Sequence, residues 1–206
     1  MRTETVGVTE TLIESAKKEF LEHGFQNANL RRISSESGVS TGSIYTRFGD
    51  KAGLFSAVVK PAADGLMELY LESITAARES GDPAEATSQG NEGTELVLKY
   101  IYENFDVFKL IFCHSAGTEH ERYFDELAEI EEKYYREFVK QFSRRENMVS
   151  DFFIHVICRT GWSYIYEVVS HDLSYDEAQI FMKSIREFCF AGWGKVLGQN
   201  YEDLGL

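Results

Sequence analysis

Small hydroxyl side chains and cations cluster between residues 29 and 51, and their chemistry is that of nucleic-acid recognition. Thr41, Ser43 and Thr46 offer hydroxyls that pair with several base edges, and threonine methyls suit the thymine methyl group. Gly42 carries no side chain, so a helix built around it can approach a groove floor closely. Arg47 supplies a guanidinium for guanine or a phosphate, and Tyr45 shares the same outward arc. Asn29 stands at a helix start, where backbone N–H groups can face a phosphate. No nucleophile–base pair and no phosphate-cradling glycine loop accompanies them, so the chain does not read as an enzyme.

Local signals show which elements hold these residues. Asn29 caps a helix over residues 30–37, and Gly38 stops it, because glycine takes the left-handed conformation without a Cβ penalty. Val39 fills the turn, Ser40 caps a second short helix over 41–48, and Asp50 caps a third that begins at Lys51. Ile33, Val39, Ile44, Phe48 and Leu54 point inward if the two short helices cross steeply. Upstream, a helix starting at Thr9 or Thr11 carries Ile13, Ala16 and Phe20 at three- and four-residue spacing and ends near Gly24, with Phe25 plugging the junction. The spacing therefore predicts a three-helix headpiece containing a helix-turn-helix, a reading head for the DNA major groove.

Ile13, Ala16, Phe20, Gly24-Phe25, Ile33, Gly38-Val39-Ser40, Ile44-Tyr45, Phe48, Lys51 and Leu54-Phe55 together resemble the N-terminal signature of the TetR family of bacterial transcriptional regulators. The resemblance is specific over about fifty residues and architectural beyond them. It departs from the family pattern at Ser34, where alanine is usual, and at Ala52-Gly53, which replace an acidic residue after the lysine; both bear on headpiece stability. The resemblance implies that Tyr45 and Lys51 hold phosphates and that Arg31 reaches a base or the backbone. It also implies a helical body that senses a small molecule.

That body has residues suited to a sensor. Tyr100, Phe108, Phe112, Tyr123, Trp162 and Tyr166, with His114 and Arg159 among them, could form an apolar cavity with a few directed polar groups. Cys113-His114 and His155-x-x-Cys158 could instead ligate a metal, but isolated pairs of this kind are far more often packing residues, and no metal or other cofactor is expected. Ile185, Phe188, Cys189, Gly192, Trp193 and Val196 line one side of the last helix. Packed with Val156, Thr160 and Tyr164 and their symmetry mates, they would give a four-helix dimer interface.

The whole chain reads as about nine helices: 9–23, 30–37, 41–48, 51–78, 83–103, 105–115, about 120–143, 150–170 and 174–198. Asp82-Pro83 opens the fifth, Gly90 and Gly93 weaken its middle, and Pro61 kinks the fourth. Ser150 caps the eighth, and Ser174 to Glu177 fit a capping box on the ninth. No stretch approaches the roughly 18 apolar residues of a membrane span, and three widely spaced cysteines suit a reducing, cytoplasmic setting. Net charge is −13, yet residues 1–60 hold eight Lys/Arg against seven Asp/Glu, and the other 13 and 27 lie in residues 61–206. Weak non-specific DNA binding follows from an acidic body behind a near-neutral headpiece.

The fold class expected is all-α: residues 1–50 a helix-turn-helix headpiece, with a linking helix starting to about residue 60, and residues 51–206 a ligand-binding and dimerisation domain. The function expected is a homodimeric repressor released from a near-palindromic double-stranded operator by a small-molecule effector. Two rivals remain: a protein–protein adaptor that has lost DNA binding, and a regulator sensing metal or thiol redox state.

Overall fold

The computed structural model describes residues 7–79, 83–143 and 149–198, and the described residues are helical with no strand. The helices are α1 (Val8–Asn27), α2 (Leu30–Ser37), α3 (Thr41–Phe48), α4 (Lys51–Glu79), α5 (Pro83–Glu103), α6 (Phe105–Cys113), α7 (Tyr123–Phe142), α8 (Asp151–Ser170) and α9 (Tyr175–Leu197), with a short 3₁₀ turn at Glu119–Arg122. The expected elements agree closely. Helix α1 begins at Val8 rather than at a threonine, and Thr11 donates its hydroxyl back to Gly7. Gly24 breaks α1 at φ 69° and ψ 164°, a conformation only glycine adopts readily, and one more turn follows it. Helix α4 runs through Pro61, and α5 runs unbroken through both glycines. Gly93 has a packing reason: a Cβ there would lie 2.8 Å from the Ser73 Cβ, so its absence lets α5 approach α4. The expected cap at Asp82 lies outside the described residues.

The chain divides into two compact units, residues 1–65 with 104–123, and residues 66–103 with 124–206. In the first unit, Leu12, Ala16, Phe20, Ile33, Ile44, Leu54 and Phe55 are fully buried. Leu12 takes the place expected of Ile13, which is half-buried, and Val39 and Phe48 are half-buried too. Phe20, Phe25 and Phe55 meet edge-on or tilted with centroids 5.0–6.3 Å apart. Segment 104–123 joins this core through Phe108, Leu110 and Ile111. It is also pinned by polar contacts. The Phe25 N–H donates to the His114 carbonyl at 3.0 Å, and the Tyr123 hydroxyl donates to the Ala63 carbonyl at 2.7 Å.

The second unit buries Leu66, Tyr70, Leu98, Ile101, Leu127, Ile154, Trp162, Ile165, Val168, Val169 and Leu197. Ser150 caps α8 by accepting from the Phe153 N–H, and Ser174 and Glu177 complete the capping box of α9. Tyr102 of α5 donates to the Leu173 carbonyl at 2.9 Å, and Arg186 of α9 bonds Glu95 of α5 at 2.7 Å. Among the described residues no helix is long and apolar enough to cross a membrane.

Candidate nucleic-acid interface

The helix-turn-helix forms from its caps inward. The Asn29 side chain accepts from the Arg31 N–H at 2.8 Å to start α2, and Gly38 ends it at φ 68°. The Ser40 hydroxyl accepts from the Ser43 N–H at 3.2 Å to start α3. The Asp50 carboxylate accepts from the Gly53 N–H at 2.8 Å to start α4. Each satisfies a donor that a helix N-terminus leaves without an intrahelical partner, worth about 1 kcal/mol per cap. Ile33 and Ile44, both fully buried, lock α2 and α3 to the core from below.

Glu19 performs a task the sequence reading did not assign. It lies on the buried face of α1 at 6% exposure, and its carboxylate accepts from the Asn29 N–H at 2.7 Å and from the Arg32 Nε at 2.9 Å. Burial pushes its pKa up, but the bonds from Arg32 and Asn29 and the charges of Arg32 and His23 outweigh that and hold it below the ordinary carboxylate value. Through these bonds Arg32 fastens α2 to α1. The available signal was a charged residue inside the apolar stripe formed by Leu12, Ala16 and Phe20. One consequence touches Asn29: its own N–H is already bound to Glu19, and that of Arg31 to Asn29, so neither is spare for a phosphate.

The expected contact residues fall into two groups. Asn29, Arg31, Thr41, Tyr45 and Lys51 line one open concavity with Ala28 and Leu30. Tyr45 is 55% exposed, large for an aromatic side chain with no solvent role. The Lys51 ammonium donates to the carbonyls of Gln26 at 3.0 Å and Ala28 at 3.2 Å and lies 4.7 Å from the Phe25 ring centre. It is therefore positioned at the end of α1 instead of swinging freely. Gly42 and Thr46 are exposed on α3, and the Thr46 hydroxyl donates to the Gly42 carbonyl, leaving its oxygen free to accept. Ser43 is half-buried. Arg47 is half-buried and donates to the Thr9 hydroxyl at 3.0 Å, tying α3 to α1.

Residues 12–58 match the family model described as bacterial regulatory proteins, tetR family. The headpiece is thus similar in sequence to that family over these residues. Over 62 residues, 30% of this chain and 33% of the relative, it is 37% identical to the HTH-type transcriptional repressor AcnR of Corynebacterium glutamicum. It is 36% identical over 62 residues to AcnR of Corynebacterium diphtheriae, covering 30% of this chain and 33% of that relative. The match thus spans about a third of the length of these curated relatives. Across the fold, it is similar to the TetR-family regulator PfmR of Thermus thermophilus, with TM-score 0.62 and 19% identity over 91% of this chain and 97% of that one. It is also similar to FadR of Bacillus subtilis in complex with stearoyl-CoA, with TM-score 0.59 and 14% identity over 86% and 95%. At these identities the likeness is one of fold.

The expected pocket residues of the body are spread across both units. Phe108, Phe112, His114 and Tyr123 belong to the unit containing the headpiece, with Phe108 fully buried and the His114 ring beside Gly24. Tyr100, Arg159, Trp162 and Tyr166 belong to the second unit. Arg159 is engaged there by Asp125 and by His155, whose other ring nitrogen meets the Glu132 carboxylate at 2.8 Å. Since Arg159 Nε can only donate, His155 Nε2 accepts and Nδ1 carries the proton. The two pairs weighed as metal ligands lie in different units, and among the described residues no group of three or more His, Cys, Asp or Glu is placed to hold a metal ion.

Of the residues expected at a dimer face, Phe188 is 71% and Val156 42% exposed, and Gly192 is exposed. Trp193 instead stacks on Tyr135 at 5.0 Å and meets Phe153 edge-on, inside its own unit. Thr160, Tyr164, Ile185, Cys189 and Val196 are half-buried. Ile180 and Phe152, which were not among the residues expected at that face, are 69% and 75% exposed.

Proposed function

We propose that this chain is a homodimeric, ligand-responsive transcriptional regulator, a repressor that a small molecule releases from a near-palindromic operator. The observation that carries the proposal is the concavity shared by the start of α2, helix α3 and Lys51. It gathers a guanidinium, an ammonium, a phenol, an amide and a hydroxyl from three successive helices and the cap before them. Cations and hydrogen-bond donors in one shallow surface suit a phosphate backbone beside a groove, with α3 entering the groove. The repressors from Corynebacterium support the same reading for the headpiece.

The exposed Ile180, Ser184, Phe188 and Gly192 recur every four residues on α9, and Phe152 and Val156 are exposed on α8. Large apolar side chains left open in this pattern suit a second copy of the chain across a two-fold axis. Two reading helices would then stand about 34–36 Å apart, one turn of DNA. Segment 104–123 packs as part of the headpiece unit and is continuous in the chain with α5 and α7 of the second unit, the unit read as binding the effector. To act, that effector must bind the DNA-competent and released forms with different affinity.

Arg31→Ala tests the reading. The Arg31 side chain is exposed and lines the concavity, so its loss should weaken specific DNA binding at least tenfold in fluorescence anisotropy while leaving the melting temperature unchanged. Unchanged DNA affinity in a folded variant would count against this surface as the interface.

A further inference from the structure

We infer that the second unit carries a binding site for a hydrophobic organic cation, with the Glu131 carboxylate as its anchor and the rings of Tyr70, Trp162 and Tyr135 as its walls. This rests on the effector-responsive reading above and names the chemistry of the effector. Glu131 projects from α7 so that its Oε2 is fully buried and has no hydrogen-bond partner. The hydroxyl of Tyr70, on α4, is buried without a partner as well. Buried polar atoms in a folded protein are nearly always bonded, so two orphans in one aromatic cluster need an explanation. A ligand that donates hydrogen bonds or carries positive charge supplies one.

The surroundings fit a cation better than any other guest. Tyr70 and Trp162 meet edge-on at 5.0 Å, Phe124 meets Trp162 edge-on at 5.9 Å, and Tyr135 stacks on Trp193 at 5.0 Å. Aromatic faces around a desolvated carboxylate attract an organic cation through both the ring quadrupole and direct charge. Gly161 on α8 faces the carboxyl: an added Cβ there would lie at contact distance, 3.8 Å from Oε2. Burial raises the Glu131 pKa to about 8, with Trp162 offsetting part of the effect, so the free site holds a proton at neutral pH. A cation entering must displace that proton. The titratable groups that face Glu131 are Tyr70 from α4, Tyr134 and Tyr135 from α7, Cys158 from α8 and Cys189 from α9, and the same burial raises each of them further from ionisation.

The test uses the full chain without DNA, titrated with 4-phenylbutylamine and with its uncharged counterpart 4-phenylbutan-1-ol, and reads tryptophan fluorescence. The amine is expected to bind at least tenfold more tightly than the alcohol. Its affinity should rise between pH 6.5 and 8.5, while the amine itself stays protonated. Glu131→Gln should abolish both the preference and the pH dependence. Gly161→Ala, which adds a methyl at ordinary contact distance, should weaken the amine at least tenfold in a protein that still folds. No binding of the amine, equal affinity for amine and alcohol, or a preference that survives Glu131→Gln would overturn the inference. DNA binding is measured separately, so either outcome leaves the regulator reading to stand or fall on its own test.

Discussion

Gly53→Ala should destabilise the headpiece, even though alanine is the better helix former. A Cβ at position 53 would lie 1.9 Å from the Phe48 carbonyl oxygen and 3.1 Å from its carbon. The obstacle is backbone at the last residue of α3, so no side chain can turn aside, and the two helices must separate by about an ångström. Overpacking of this kind costs about 1–3 kcal/mol, and a rigid obstacle places it near the upper end. The helix-propensity gain of about 1 kcal/mol offsets part of that and leaves roughly 2 kcal/mol net. For a chain of this size each kcal/mol moves the melting midpoint by about 2–4 °C, so a fall of about 4–8 °C is expected. Circular dichroism at 222 nm during a thermal scan would measure it. Because Phe48 ends the reading helix, DNA affinity should fall as well. A variant melting within about 1 °C of the wild type would refute the packing argument.

Gly42→Ala is the contrasting case: the nearest atom to its added Cβ is 3.9 Å away, so the fold should gain up to about 1 kcal/mol. DNA affinity should nevertheless drop if α3 approaches a groove floor, and equal or tighter DNA binding would remove Gly42 from the interface. Arg32→Gln should lower the melting temperature at pH 7 by leaving the buried Glu19 carboxylate short of its main partner. Since the folded pKa of Glu19 is depressed, that stabilisation exists above its unfolded value and is lost as pH falls through the folded one, so melting curves of the two proteins should converge in acid. A deficit that is constant with pH would point to packing instead. Glu131→Gln should stabilise the protein at pH 7 by up to about 3 kcal/mol, because the wild type holds a proton its unfolded chain releases; stability is lost as pH rises from 4.5 to about 8. Urea unfolding at pH 5 and pH 8 would show it, and no difference between the two pH values would contradict it. Phe188→Asp should weaken the dimer at least about a hundredfold in sedimentation equilibrium, since two copies of a large apolar side chain leave one symmetric contact. An unaltered dimer would place the interface elsewhere.

Much of the headpiece could be read from the sequence because its signals are local. Asn29, Gly38, Ser40 and Asp50 each act on backbone within three residues, and each stands where a cap or stop was expected. What escaped the sequence depends on distant partners. Glu19 and Arg32 are 13 positions apart, and the Lys51 ammonium reaches carbonyls 25 and 23 residues back. No periodicity encodes such pairs. The sequence assigned Arg47 to DNA because an arginine on a short polar helix looks free, whereas its bond to Thr9 depends on how α1 crosses α3. In the body, aromatic content could not separate walls from core: Phe108 is sealed in one unit, while Trp162 lies beside the orphaned Glu131 and Tyr70 in the other.

Selection of bound duplexes from a random DNA library, with the purified protein at moderate salt, is the most direct test of the central claim. Enrichment of an inverted repeat whose half-site centres lie about 34–36 Å apart is the result expected of two reading helices related by a two-fold axis. A folded, dimeric protein that enriches no sequence would contradict it.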